Sequence, residues 1–241
     1  MKKNLYLIGR SGLVSKYLKK NFKFKTIYSL RNINKIRLIK KKNNQRNIFI
    51  LLSQPGGISF CEENPKKVSL FLKKIDILLK KINYDSEFIF LSSDAVYSKK
   101  LKYGKLKLKI EKKIIKKFKK TLILRCCKIF SQNLIDKTEY FKVYKTIKSN
   151  RNYKAFYDQY CHYIEINKLI KIFKKIISSN KNKFGILDIF DDKIFISRYE
   201  FAKKVALREK LNFNYLKKVS ISNSNLPLPK KLLLRKKIRS F

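Results

Sequence analysis

A tyrosine, a lysine and a serine occur in an order that suits proton transfer to a carbonyl group. Tyr103 and Lys107 are four residues apart, so on a helix they share one face. An ammonium group beside a phenol favours the phenolate and so eases proton exchange. Ser93 ends an apolar run ten positions before Tyr103 and can hydrogen-bond the same substrate oxygen. Together they predict a proton donor for a carbonyl that receives hydride. In a chain with 14 Tyr and so many Lys, the Tyr-Lys spacing alone also arises by chance.

A glycine turn near the start of the chain suggests a phosphate site. The apolar run Leu5 to Ile8 is followed by Gly9-Arg10-Ser11-Gly12 and then by apolar residues at helical spacing from Leu13. A strand followed by Gly-x-x-Gly at a helix start presents backbone N–H groups and the positive end of the helix dipole to a pyrophosphate. Ser15 stands where a third glycine is expected. By itself the pattern also fits an ordinary tight turn into a helix.

The elements that must position these residues alternate along the chain. Strand-like apolar runs occur at residues 5–8, 26–30, 48–52, 88–91 and 122–124. Amphipathic helical patterns follow the first, third and fourth of them. This alternation predicts an α/β fold with a doubly wound parallel sheet covered on both faces. Beyond about residue 130 the pattern is looser, with helices expected at 166–177 and 198–211 and a strand near 185–190.

Composition allows two interpretations of the charge. The chain has 61 Lys+Arg against 16 Asp+Glu, a net charge of +45, yet 44% of its residues are hydrophobic. That apolar content excludes a disordered basic tail. The charge indicates either a polyanionic partner such as nucleic acid or a drift of composition toward Lys, Ile and Asn. We favour drift, because the lysines are spread along the chain whereas a binding arm would concentrate them.

Several classes of site and location are disfavoured. No apolar run approaches the roughly 20 residues that cross a bilayer, so we expect a cytoplasmic protein without a membrane span. We interpret the four cysteines, which lack the paired spacing of metal ligands, as reduced core residues: Cys61, Cys126, Cys127 and Cys161. We expect no metal site. We interpret His162 as a surface or pocket-edge residue and Asp191-Asp192 as a turn.

Segments along nearly the whole chain resemble, in the same order, those of the extended short-chain dehydrogenase/reductase family. The similarity is greatest to the sugar-nucleotide reductases of the dTDP-4-dehydrorhamnose type. The matching segments are Cys61 to Pro65, Phe88 to Tyr97, Tyr103-Gly104-x-x-Lys107 with Glu111, Leu122 to Arg125, Asp158-Gln159 and Ser197 to Ala202. One departure is the loop between Ser93 and Tyr103, which is much longer in that family.

The resemblance implies a Rossmann-type core at residues 1–130 and a smaller α/β substrate-binding part at 131–241, partly interleaved with it. It implies that Tyr103 is the general acid, that Lys107 also holds the nicotinamide ribose, and that Ser93 orients the carbonyl. The residues implied to bind the pyrophosphate are Gly9, Arg10, Ser11, Gly12 and Leu13. Arg31 follows the second strand where an acidic residue would bind the adenosine ribose, and with Arg10 it favours NADP over NAD.

The activity implied by the resemblance is NAD(P)-dependent reduction of a keto group on a nucleotide-activated sugar, for cell-surface polysaccharide precursors. One alternative is an epimerase or dehydratase of the same family. Another is an inactive dinucleotide-binding protein whose basic surface binds a polyanion. The expected partner is a nucleotide-sugar substrate, and a homodimer is compatible with this interpretation. The basic stretch from Lys230 to Arg239 either contacts the substrate diphosphate or forms a basic tail.

Overall fold

The computed structural model describes residues 2–35, 45–179 and 184–231. The part of the basic stretch beyond Lys231 lies outside them. The chain divides into two compact units. The first comprises Met1–Arg125 and Lys174–Leu187, and the second comprises Cys126–Phe173 and Asp188–Phe241.

The described residues form strands, α-helices and short 3₁₀ helices. The strands are β1 (Lys2–Ile8), β2 (Thr26–Tyr28), β3 (Gln45–Leu51), β4 (Glu87–Ser93), β5 (Thr121–Cys126), β6 (Lys128–Phe130), β7 (Tyr153–Phe156), β8 (Tyr160–Glu165), β9 (Gly185–Ile189), β10 (Asp191–Ser197) and β11 (Leu216–Val219). The α-helices are α1 (Leu13–Asn21), α2 (Ile58–Glu63), α3 (Pro65–Lys81), α4 (Lys102–Lys117), α5 (Glu139–Lys148), α6 (Ile166–Ser178) and α7 (Arg198–Arg208). Short 3₁₀ helices span Leu30–Lys35, Asp94–Tyr97, Phe213–Tyr215 and Ile221–Asn223.

The central sheet is parallel and has six strands in the order β2-β1-β3-β4-β5-β9. The inner strands β3, β4 and β5 each contain a continuous apolar run because side chains on both faces are buried. Stacked aromatic rings cross the sheet, with centroids 4.5 Å apart for Tyr6 and Phe49, 6.4 Å for Phe49 and Phe88, and 4.9 Å for Phe88 and Phe118. The predicted Rossmann-type parallel fold is confirmed.

Helices form the crossover connections of this sheet. In α3, Pro65 occupies the first turn, where its missing N–H costs nothing, and Lys80 and Lys81 lie at the negative end of the helix dipole. Its buried stripe contains Phe71 and Ile75 at helical spacing. From β1 the chain runs outward to β2 on one side, whereas β3 pairs with the other side of β1. The boundary between β1 and β3 is therefore a topological switch point, where α/β sheets bind ligands beyond the carboxyl ends of their strands.

The second unit contains the sheets β10-β8-β6 and β11-β7. Its core includes Phe130, Val143, Tyr163 and Phe201, and the rings of Tyr163 and Phe201 stack in parallel at 4.2 Å. Helix α7 begins with a capping box: Ser197 Oγ accepts from the Glu200 N–H at 3.1 Å, and Glu200 Oε2 accepts from the Ser197 N–H at 2.8 Å.

Two expectations for this unit can be compared with the structure. Asp191 and Asp192 begin β10, so their interpretation as a turn is wrong. Phe190 alone separates β9 from β10, and the Lys168 ammonium binds the Asp191 carboxylate at the start of β10. His162 is half-buried, with its ring centroid 4.5 Å from that of Phe190 and 4.6 Å from that of Phe195. Burial lowers the pKa of His162, and the charge of Asp192 partly opposes this.

The described ranges contain neither a helix that could span a membrane nor a cluster of metal ligands. Across residues 2–35, 45–179 and 184–231, no helix combines the length and apolarity that crossing a membrane requires. In the same ranges, His, Cys, Asp and Glu form no group of three that could hold a metal ion.

Candidate active site

Gly9 follows β1 with a φ of +108°, a conformation that favours glycine. An added Cβ would lie 2.7 Å from Ser53 Oγ and 2.9 Å from the Ser53 nitrogen, in the loop after β3. The Gly9 N–H donates to Tyr28 O at 3.0 Å, at the end of β2. The Ser15 hydroxyl donates to the Gly9 carbonyl, so the residue at the expected third-glycine position holds the turn. The turn thus ties together the carboxyl ends of three strands.

Gly12 is the N-cap of α1 and supplies no side-chain cap. An added Cβ there would meet nothing within 4 Å, so the helix start borders open space. The first N–H groups of a helix have no intrahelical acceptors and carry the positive end of its dipole. This end of α1 therefore suits a phosphate group.

A cavity of about 780 Å³ lies at the switch point, within the first unit. Its lining comes from the segments that follow β1, β2 and β3 and from one face of α3: Gly9 to Gly12, Ser15, Ser29 to Asn32, Leu52 to Pro55, Phe60, Lys67, Leu70, Phe71 and Lys74. Most of the residues predicted to bind the cofactor, including Arg10 and Arg31, are in this lining. Leu13, Tyr103 and Lys107 are outside it. Four of the described lining residues are cationic and none is acidic, so the cavity suits an anionic ligand.

Tyr103 and Lys107 lie on one face of α4, as their spacing predicts. Tyr103 is 8% exposed and donates its hydroxyl proton to Gln54 Oε1 at 2.9 Å. Lys107 is 2% exposed, and its Nζ lies 5.7 Å from the Tyr103 ring centroid. That ammonium donates to Leu91 O at 3.1 Å and lies over the Phe90 ring at 4.9 Å. A buried, fixed cation beside the phenol can stabilise a phenolate formed there.

Gly104 brings the start of α4 against the segment that contains Ser93. An added Cβ at Gly104 would lie 2.0 Å from Ala95 O and 2.7 Å from Ala95 C, so only glycine permits this approach. Ser93 caps the 3₁₀ helix that contains Ala95, since its Oγ accepts from the Ala95 N–H at 3.2 Å. The Ser93 hydroxyl also donates to Asp94 Oδ1 at 2.9 Å. The backbone contact therefore sets Ser93 and Tyr103 on adjoining segments despite the short loop between them.

A carboxylate from another helix caps α4. The N-cap residue of α4 is Leu101, whose apolar side chain cannot accept a hydrogen bond from the helix. Instead Glu62 of α2 accepts from the Lys102 N–H at 2.6 Å, and the Lys102 ammonium donates to Glu62 O at 3.0 Å. A carboxylate at a helix N-terminus is also favoured by the dipole. This contact gives the acidic segment Cys61 to Pro65 a structural role in holding the helix that carries Tyr103.

A buried ion pair fixes the other side of α4. Glu111 is 1% exposed, and its Oε2 lies 2.7 Å from an Arg125 nitrogen at the end of β5. Glu111 also accepts from Ser92 Oγ at 2.5 Å, and Arg125 donates to the Tyr97 hydroxyl at 2.9 Å. Burial alone would lower the pKa of Arg125, but the hydrogen bonds to Glu111 and Tyr97 raise it. The network joins α4 to the strand end that carries Ser93.

Gln54 is the site residue that the sequence did not indicate. It lies in the exposed loop after β3, lines the cavity and accepts from Tyr103, which is 49 positions away. The available signal was its position: the loop follows a buried strand next to the switch point, where ligand-contacting side chains gather.

The two later segments of the family resemblance meet in the second unit. The Arg198 N–H donates to Gln159 O at 3.0 Å, and the Arg198 guanidinium pairs with Glu139 at 2.6 Å. Asp158 accepts from Ser220 Oγ and from the Ile221 N–H, both at 2.7 Å. These contacts give both segments a structural role within this unit.

Comparison with solved structures identifies the fold. The chain has the fold of the extended short-chain dehydrogenases/reductases, as the sequence resemblance implied. The dTDP-4-dehydrorhamnose reductase of Bacillus anthracis in complex with NADP gives a TM-score of 0.82 at 15% identity, covering 98% of this chain and 92% of that chain. The Clostridium acetobutylicum dTDP-4-dehydrorhamnose reductase ortholog gives 0.76 at 16% identity, covering 97% and 90%.

A third comparison shows the breadth of this fold. The UDP-glucuronic acid 4-epimerase of Bacillus cereus, in complex with UDP-glucuronic acid and NAD, gives a TM-score of 0.69 at 15% identity, covering 95% of this chain and 88% of that chain. No protein-family model and no curated protein sequence matches the chain.

Proposed function

We propose that this chain is an NAD(P)-dependent oxidoreductase that reduces a keto group on a nucleotide-activated sugar. The observation that carries the proposal is the hydrogen bond from Tyr103 to Gln54, because it joins a proton donor to the wall of a cationic cavity at the switch point. Solved reductases of this fold that are named for a keto nucleotide sugar support the proposal.

The described residues fit a nicotinamide dinucleotide. The open start of α1 at Gly12 would hold the pyrophosphate, with Arg10 and Ser11 beside it. Arg31 would bind a 2′-phosphate, which supports NADP over NAD. When bound, the reduced cofactor supplies the hydride.

The residues of the chain would supply the proton and hold its donor. As the carbonyl carbon gains hydride and forms a C–H bond, the Tyr103 O–H bond breaks and the proton passes to the carbonyl oxygen, giving an alcohol. Lys107, held by Leu91 O, stabilises the phenolate that remains. Ser93 would hydrogen-bond the carbonyl oxygen. Solvent then returns a proton to Tyr103.

The test is NADPH or NADH oxidation, followed at 340 nm, with a 4-keto nucleotide sugar. We expect Tyr103→Phe to lower the rate by about 10²-fold or more, the range typical of general acids, while cofactor binding persists. Tyr84→Phe is the matched control, because Tyr84 is 64% exposed. Full activity of Tyr103→Phe would exclude this mechanism. No turnover, together with steeply salt-dependent oligonucleotide binding, would favour the inactive polyanion-binding alternative.

A further inference from the structure

The acceptor of the Tyr103 proton is itself a carbonyl oxygen. Gln54 Oε1 belongs to a side-chain amide and lies 2.9 Å from the Tyr103 hydroxyl. A phenol has one proton and donates one strong hydrogen bond at a time. In the reaction proposed above, that proton must point at the carbonyl oxygen of the substrate. The Gln54 carbonyl and the substrate carbonyl therefore compete for the same donor.

We propose that Gln54 is an internal stand-in for the substrate carbonyl, occupying its hydrogen-bonding position until substrate displaces it. The proposal rests on the proposed function, because it assigns Tyr103 the role of proton donor. It makes Gln54 a residue that sets substrate affinity without taking part in proton transfer.

The environment of Gln54 allows this exchange. Its side chain is exposed, whereas Tyr103 is almost buried and fixed on α4. The loop backbone stays anchored at its start, where the Leu52 N–H donates to Ile8 O at 2.8 Å. Rotation of one long, exposed side chain is then sufficient to free the donor, with no movement of the sheet or of α4.

Three substitutions of Gln54 give an ordered prediction for the KM of the keto substrate. Gln54→Leu removes the acceptor, and we expect KM to fall about fivefold, the factor equivalent to the ~1 kcal/mol of a net hydrogen bond. Gln54→Asn keeps the amide but is one methylene too short, so KM should fall similarly. Gln54→Glu keeps the reach and accepts more strongly as a carboxylate, so KM should rise. In Gln54→Leu and Gln54→Asn, which add no charge beside the phenol, kcat should stay within about twofold.

The matched control is Gln45→Leu, the same change at the opposite end of β3, where Gln45 accepts from Asn4 at 2.9 Å. KM should not change there. A readout independent of turnover is the ¹³Cζ resonance of Tyr103, assigned by its loss in Tyr103→Phe. It should move in Gln54→Leu and Gln54→Asn and stay unchanged in Gln45→Leu.

The failures can be distinguished. A wild-type chain that turns over, with a KM that Gln54→Leu leaves unchanged or raises, overturns this inference alone. A kcat that falls in Gln54→Leu also overturns it, since Gln54 would then act in proton transfer. No wild-type turnover with any keto nucleotide sugar defeats the proposed function, and this inference with it. If the ¹³Cζ resonance of Tyr103 stays unchanged in Gln54→Leu, the hydrogen bond between Tyr103 and Gln54 is absent.

Discussion

Adding one methyl group at Gly104 tests whether backbone contact between α4 and the segment after β4 positions the proton donor. In Gly104→Ala the new Cβ would lie 2.0 Å from Ala95 O, about 1.4 Å short of an ordinary contact at 3.4 Å. The obstacle is backbone, so it cannot rotate away. The start of α4 must instead move by about 1 Å, carrying Tyr103 with it.

The expected losses follow from that displacement. A misplacement of about 1 Å at a reacting group costs roughly 10²-fold in rate, so the rate of NADPH oxidation should fall by about that factor. Overpacking destabilises a protein by about 1–3 kcal/mol, and we expect the upper end here because the clash is with backbone. Replacing glycine by alanine within a helix stabilises it by about 1 kcal/mol, which offsets part of that loss. We therefore expect a net loss of about 2 kcal/mol, measured by urea unfolding followed by circular dichroism.

Gly12→Ala is the control: the same substitution should leave stability unchanged and weaken cofactor binding. A Cβ at Gly12 meets no protein atom within 4 Å, at the helix start that we propose holds the pyrophosphate. Its unfolding free energy should therefore change little while NADPH binding weakens. If Gly104→Ala keeps both the wild-type stability and the wild-type rate, the close approach to Ala95 does not position Tyr103, and the reasoning fails.

Three further outcomes are expected. Tyr163→Phe should be neutral or stabilise by up to about 1 kcal/mol in urea unfolding, because the Tyr163 hydroxyl is buried and has no hydrogen-bond partner among the described residues. Tyr140→Phe, which loses a bond to Glu209, should destabilise. Burial would raise the pKa of Glu139, but Lys128 and Arg198 hold it below its ordinary value. The contribution of Glu139 to stability should thus be complete above about pH 4.5 and lost as pH falls through the lowered pKa. In Glu139→Gln the unfolding free energy should depend less steeply on pH in that range. An unchanged pH dependence would contradict the assignment. Arg125→Met leaves a buried carboxylate unpaired and should cost about 3–5 kcal/mol, so a loss below 1 kcal/mol would show that the pair is not buried in solution.

The central sheet could be predicted from the sequence because its inner strands are buried on both faces. A strand such as Phe88 to Leu91 is then a continuous apolar run. In the helix after it, the spacing of the apolar residues identifies the buried face. The glycine turn and the shared face of Tyr103 and Lys107 are also local patterns, so they too could be predicted.

Contacts between distant segments could not be predicted in this way. Strands β6 and β7 have three and four residues, too few to show alternation. Asp191 and Asp192 have the composition of a turn, but Asp191 pairs with Tyr163 of β8 and binds the Lys168 ammonium, and neither partner is close in sequence. Gln54 matters because of a partner 49 positions away, and no periodicity encodes that distance.

The scarcity of acidic residues changes which residues are informative in this chain. With 61 Lys+Arg and 16 Asp+Glu, lysine is so frequent that its presence at a position indicates little about the role of that position. Four of the carboxylates described above connect elements of the fold: Glu62 caps α4, Glu111 of α4 pairs with Arg125 of β5, Glu139 joins α5 to α7, and Asp158 caps a 3₁₀ helix. In a protein of this composition, the few acidic residues identify contacts between elements of the fold. A sequence comparison should therefore weight them above the abundant Lys and Arg residues.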